Sequence, residues 1–220
     1  MVLAADGSAL GTLHGSVDRR PVPLSRIPTV VQTAVVATED QRFWTEPAVD
    51  VRAVVRAALA DVQAGRAAQG GSTIAEQYVK LRLEDDSGPR GLGDKVREAT
   101  QAYELERHHP RSRILGDYLN AIYLGNGAYG VEAAAETYFA RPVGQVDLSQ
   151  AALLAGLIHA PSATDPFTHP DVATARRREV LDRLVQLGEI TAGQAAAAAR
   201  QPLTLPAAST ASTIRLVVSS

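Results

Sequence analysis

Residues 37–50 read ATEDQRFWTEPAVD, with the adjacent carboxylates Glu39 and Asp40 at the centre. An apolar segment, residues 30–37, leads into the pair, and Phe43 and Trp44 follow it, Trp44 being the single tryptophan of the chain. A carboxylate set beside apolar walls loses hydration, so its pKa rises and it becomes usable as a general base. Taken alone, a Glu-Asp step is far more often a solvated helix face, and its meaning depends on what lies further along.

Outward from this stretch the chain reads as helices. Val30, Val31, Ala34 and Val35 share one face of a helix starting near Thr29, which places Glu39 at or just past its end. Residues 51–63 carry an apolar stripe through Val51, Val54, Val55, Ala58, Leu59 and Val62, closed by Gly65. Thr73 and Glu76 stand three apart, as in a capping box, so a helix is expected from there to about residue 83, with Thr73, Gln77 and Lys80 on neighbouring turns. Residues 95–108, the stripe of residues 114–123 and residues 131–139 continue the helical pattern. The nearly all-apolar residues 148–159 are expected at the centre of the core, behind a cap at Asp147. Residues 172–187 and 191–200 complete the series around Gly188. Residues 1–20 read as a β-hairpin turning at Asp6-Gly7, and residues 213–218 as a lone strand after a Pro-, Ala-, Ser- and Thr-rich linker. The expectation is a mainly α chain with a small β entry, one domain over residues 1–205 and a linker or truncated tail over 206–220.

Composition narrows the function. A 220-residue chain with 45% apolar residues can bury a full core. A net charge of -2 gives no bulk field for polyanions, so nucleic acid is not an expected partner and a phosphate ligand must meet a local cluster. There is no cysteine, and the five histidines show no i, i+4 pair, so no metal site is expected from the protein alone. The longest apolar run, residues 151–158, is too short to span a bilayer, and the first residues lack the pattern of a signal peptide.

Two glycine motifs fail on context. Residues 125–130, GNGAYG, match GxGxxG, but helical spacing precedes them where a dinucleotide fold needs a strand. Residues 65–72 approach a P-loop, but Gly71 stands where its lysine must be. What remains is a glycine-rich entry to a helix N-terminus with Lys80 two turns on, which can host an anion through backbone N–H groups.

Several blocks taken together resemble one family. EDQRFWTEPAVD (39–50), QGGSTIAEQYVK (69–80), DKVREATQAYELE (94–106), RILGDYLNAIYLGNGAYGVEAAAETYF (113–139), LSQAALLAGLIHAP (148–161) and RRREVLDRL (176–184) look like the successive motifs of the peptidoglycan glycosyltransferase domain (glycosyltransferase family 51). That domain occurs in monofunctional glycosyltransferases and class A penicillin-binding proteins, and the likeness covers about residues 2–205.

The resemblance implies a lysozyme-like helical large lobe with a smaller membrane-associated lobe. It implies a hexosyltransferase that lengthens β-1,4 glycan from lipid II with inversion and releases undecaprenyl pyrophosphate at the extracytoplasmic face of the bacterial membrane. The partners it implies are lipid II, the growing glycan chain, the membrane surface and a transpeptidase domain or protein. By motif position, Glu39 is the general base on the acceptor 4-hydroxyl, and Glu98 is the second catalytic acid, near the donor pyrophosphate. Asp40, Phe43, Gly71, Ser72, Thr73, Gln77, Lys80 and Lys95 shape the cleft or hold phosphate. No cofactor is required, with Mg²⁺ or Mn²⁺ as an optional counter-ion at the pyrophosphate.

The departures from the family run toward acid: Glu46 and Ala48 stand for the usual His and Gly, Glu76 for Gln, and Asp94 for Arg. They leave open an impaired, precursor-binding scaffold of the same fold. A lysozyme-like hydrolase is a third reading, though it would not need the QGGST phosphate motif.

Overall fold

The computed structural model describes residues 2–3, 9–11, 18–45, 72–83 and 92–206. Among these residues the helices are α1 (Thr29–Glu39), α2 (Ile74–Leu83), α3 (Leu92–His108), α4 (Arg111–Ala121), α5 (Val131–Phe139), α6 (Leu148–Leu157), α7 (Pro170–Gln186) and α8 (Ala192–Arg200). The protein is thus mainly helical, as its periodicities predict. The expected helix at 51–63, the P-loop-like segment with Gly71, Glu46, Ala48, the Asp6-Gly7 turn and the strand at 213–218 lie outside the described residues.

Helix α6 is the hub. Its residues are buried nearly all round, and it packs against α1 on one side and α7 on another. Its start is fixed by a reciprocal capping box: Asp147 accepts from the Gln150 N–H at 2.9 Å, and Gln150 accepts from the Asp147 N–H at 3.2 Å. Thr191 and Gln194 repeat the device at α8. Helix α1 buries Val31, Ala34 and Val35 completely, and each valine contributes roughly 1.5–3 kcal/mol relative to exposure. Helix α2 packs on α3 and α4. Arg177, 3% exposed, fastens α7 to its neighbours by donating to Ser149 Oγ at 3.0 Å and to the carbonyls of Ala199 and Gln201 at 3.3 and 3.1 Å.

The stripe expected to run helically through Tyr123 stops earlier. Ile122 turns extended (φ −60°, ψ 139°), Gly130 N–H returns to the Ile122 carbonyl at 2.7 Å and Leu124 N–H to that of Ala128 at 3.0 Å, and Tyr123 bridges Tyr129. The cause is the Gly125-Asn126-Gly127 turn, where all three residues have positive φ. A side chain at Gly125 would place a Cβ 2.6 Å from the Tyr138 hydroxyl, and at Gly130 one 2.7 Å from the Asn120 carbonyl. These glycines therefore serve a tight backbone reversal, and GNGAYG follows a helix, not the strand of a nucleotide fold.

Little strand is present among the described residues. Val2–Leu3 (β1) pairs antiparallel with Ala9–Gly11 (β2), and Asp18–Arg19 (β3) pairs in parallel with Ala128–Tyr129 (β4). Asn120 anchors the segment after β3 by accepting from the Val22 N–H and donating to its carbonyl, both at 2.9 Å.

Candidate active site

Helix α1 ends on Glu39, and the chain leaves the helix at Asp40. The two neighbouring carboxylates consequently point to different tasks. Asp40 Oδ2 accepts from the Ile74 N–H at 3.2 Å, satisfying a donor at the start of α2, which has no partner inside its own helix. Glu39 turns into a cleft of about 790 Å³ and its side chain is 0% exposed.

The start of α2 is built as the sequence predicts. Thr73 Oγ1 accepts from the Glu76 N–H at 3.2 Å, and the Glu76 carboxylate accepts from the Thr73 N–H at 3.0 Å. One residue on, Gln77 faces α1, and its amide donates to Glu39 Oε2 at 3.0 Å. The Tyr118 hydroxyl, from α4, donates to Gln77 Oε1 at 2.8 Å. That bond decides which end of the amide faces the carboxylate, because an amide oxygen receiving the phenol cannot also face Glu39.

Glu39 Oε1 is buried and has no hydrogen-bond partner. The imidazole of His159, just past the end of α6, stands 3.7 Å from it. Burial raises the Glu39 pKa, and His159, the Gln77 amide and Arg176 pull the other way. The result is a carboxyl held by one oxygen and open at the other, with an acidity moved toward that of a base.

Of the residues expected in a site, the cleft brings together Glu39, Ser72, Gln77, Lys80 and Glu98. Asp40 and Thr73 act next to it, through the backbone at the start of α2. Phe43 is buried but does not line the cleft: its ring meets Trp44 edge-on at 4.8 Å and the Arg111 guanidinium at 5.9 Å, and Arg111 also donates to its carbonyl. Lys95 is exposed one turn before Glu98 on α3 and does not line the cleft. Glu76 does line it. Burial pushes its pKa up, the Thr73 N–H opposes this, and Glu98, Glu106 and Asp40 push it further up.

The cleft also contains Tyr118, Tyr123, His159 and Arg183, which sequence reasoning did not place there. Tyr118 and Tyr123 read as core stripe and His159 as the end of the central helix. The one available signal was the polarity of a histidine directly after eight apolar residues. Chemically, the arrangement offers a buried carboxylate with one oxygen open to accept a proton, and a lysine and a second carboxylate lining the same cleft.

The chain is similar to known proteins in sequence and in fold. Penicillin-binding protein 1A of Aquifex aeolicus is 45% identical over 201 residues, covering 90% of this chain and 27% of that protein. Penicillin-binding protein 1A of Escherichia coli is 40% identical over 193 residues, covering 88% of this chain and 22% of its own length. The chain thus spans about a quarter of the length of the curated relatives it matches. The crystal structure of penicillin-binding protein 1A from Haemophilus influenzae superposes with a TM-score of 0.58 at 25% identity, over 93% of this chain and 20% of that one. The family described as Transglycosylase matches residues 6–185, and with that match the chain belongs to the transglycosylase family.

Proposed function

We propose that the protein is a peptidoglycan glycosyltransferase that polymerises lipid II into β-1,4 glycan strands in cell wall synthesis. The acceptor 4-hydroxyl attacks the donor anomeric carbon from the face opposite the pyrophosphate. Its proton passes to Glu39 as the new C–O bond forms, the bond to the pyrophosphate oxygen breaks, and the configuration inverts. The departing undecaprenyl pyrophosphate gathers negative charge, which Lys80 opposes, with Glu98 lining the same cleft. The observation that carries this reading is the Glu39 carboxylate, excluded from solvent and fixed through Gln77, in a member of the transglycosylase family.

The reading needs no cofactor. It takes Mg²⁺ or Mn²⁺ as an optional counter-ion at the pyrophosphate. No described helix is long and apolar enough to cross a membrane. The lipid-linked substrate places the site at the outer face of the cytoplasmic membrane, next to a transpeptidase domain or protein that cross-links the product.

Elongation of labelled lipid II, followed by gel, tests the assignment. Glu39→Gln should lower the rate on the order of a hundredfold or more with the circular dichroism unchanged. An active variant refutes the base. A wild-type chain that binds lipid II without elongating it points to the precursor-binding scaffold instead.

A further inference from the structure

A solvent-excluded base has a second problem after it has taken a proton: it must lose that proton before the next sugar arrives. Two side chains meet the Glu39 carboxylate at its oxygens. Gln77 meets Oε2 through an amide N–H, which can only donate. His159 meets Oε1, the oxygen with no hydrogen bond, and imidazole both takes and gives protons near neutral pH. The His159 side chain is 57% exposed while that of Glu39 is 0% exposed, so the ring joins a buried acid to bulk water.

We propose that His159 is the proton outlet of Glu39 in the glycosyl transfer reaction. The proposal rests on the reading of Glu39 as base. After the new glycosidic bond forms, the proton on Glu39 Oε1 passes to the neutral His159 Nε2, leaving a carboxylate and an imidazolium. The imidazolium then releases a proton to water or buffer from its exposed edge. The 3.7 Å gap is too long for a direct hydrogen bond, and one bridging water or a small swing of the exposed ring closes it.

The surrounding charged groups do not compete for this role. Arg176, Glu179 and Arg183 of α7 line the smaller cavity that His159 shares with the cleft. The arginines have no proton-accepting atom, and Glu179 is ion-paired to Arg176. Across the cleft, Glu76 is engaged by the Thr73 N–H, the Tyr118 hydroxyl donates to Gln77, and neither Lys80 nor Glu98 hydrogen-bonds Glu39 Oε1. His159 acts through Glu39.

The test compares the 220-residue chain with His159→Gln, which keeps a hydrogen-bonding side chain that cannot relay a proton, and with His159→Ala, which leaves room for added imidazole. In dilute buffer both variants should lose roughly ten- to a hundredfold in kcat, toward the low end for proton-transfer catalysis, with KM little changed. Added imidazole should restore His159→Ala, and the acid limb of log kcat against pH should be shallower by one proton in both. An unchanged kcat in dilute buffer, or a loss that no buffer base restores, overturns the proposal. Glu39→Gln separates the two readings. If it is inactive with or without imidazole while the His159 variants behave as wild type, the relay alone fails; if it is active, the base reading fails and the relay with it.

Discussion

Gln77 donates to the Oε2 atom of Glu39 across 3.0 Å, from a helix that begins 35 residues after α1 ends, and this one bond sets the orientation of the candidate base. Its direction depends on a third residue, since Tyr118 donates to the Gln77 oxygen at 2.8 Å. Without the phenol, the amide can flip and present oxygen to carboxylate. Tyr118→Phe should therefore lower the elongation rate roughly two- to tenfold, the effect of one neutral hydrogen bond. Its burial should be kept, because phenylalanine fills the same space. A rate equal to wild type on labelled lipid II would show that Gln77 keeps its orientation unaided.

Glu39 weakens the fold that holds it. Its pKa is raised in the native state, chiefly by burial, so between the ordinary and the raised value the folded protein binds more protons than the unfolded chain. Its contribution is full below the ordinary carboxylate value and is lost as the pH rises through the higher native one. At neutral pH the ionised group is a cost, and Glu39→Gln should raise the thermal midpoint while removing activity. The gain should shrink as the pH is lowered into the ordinary carboxylate range. Scanning calorimetry of both proteins at several pH values checks the sign, and a lower midpoint at neutral pH would contradict it.

Local signals in the chain were legible where the structure depends on local physics. The apolar face of α1, the Thr73–Glu76 box, the Asp147 cap and the core position of α6 all follow from spacing within a few residues, and Glu39 is found at the helix end where the pattern puts it. The partners of Glu39 were less legible. His159 reaches it from 120 positions away, and Tyr118, 79 positions away, acts on it through Gln77; a stripe residue gives no sign of what its hydroxyl will meet. The parallel pair of β3 and β4 is equally silent, because two-residue strands carry no alternation to read. Tyr123 was misread for a nearby reason: the positive-φ turn at Gly125 pulls it out of the helix its spacing suggests.

The two lysines assigned to phosphate should separate. Lys80 lines the cleft, whereas Lys95 is exposed outside it. Moenomycin, an inhibitor that mimics the lipid phosphate in this family, is a suitable probe. Lys80→Ala should weaken its binding by about 1 to 3 kcal/mol, the range for a charge-assisted contact. Lys95→Ala should cost less than about 1 kcal/mol, as for a solvated charge. Equal losses measured by fluorescence anisotropy would place Lys95 in the phosphate field after all.

The acidic departures from the family should separate in the same way. Glu76 faces the cleft and is itself engaged by the Thr73 N–H, with a pKa raised by burial and by the neighbouring Glu98. Asp94 lies outside the cleft lining, in the first turn of α3, 3.4 Å from Arg97. A unit charge about 10 Å from a developing pyrophosphate acts with roughly 1.7 kcal/mol at an effective dielectric near 20. Glu76→Gln removes such a charge and keeps the capping box, because glutamine serves at that position as well as glutamate does. It should raise the elongation rate several-fold and reduce any stimulation by Mg²⁺, whereas Asp94→Arg, acting from outside the cleft through water, should change the rate less than twofold. A larger response from Asp94→Arg than from Glu76→Gln would place the leaving group nearer the start of α3 than the start of α2, and would move the pyrophosphate away from Lys80.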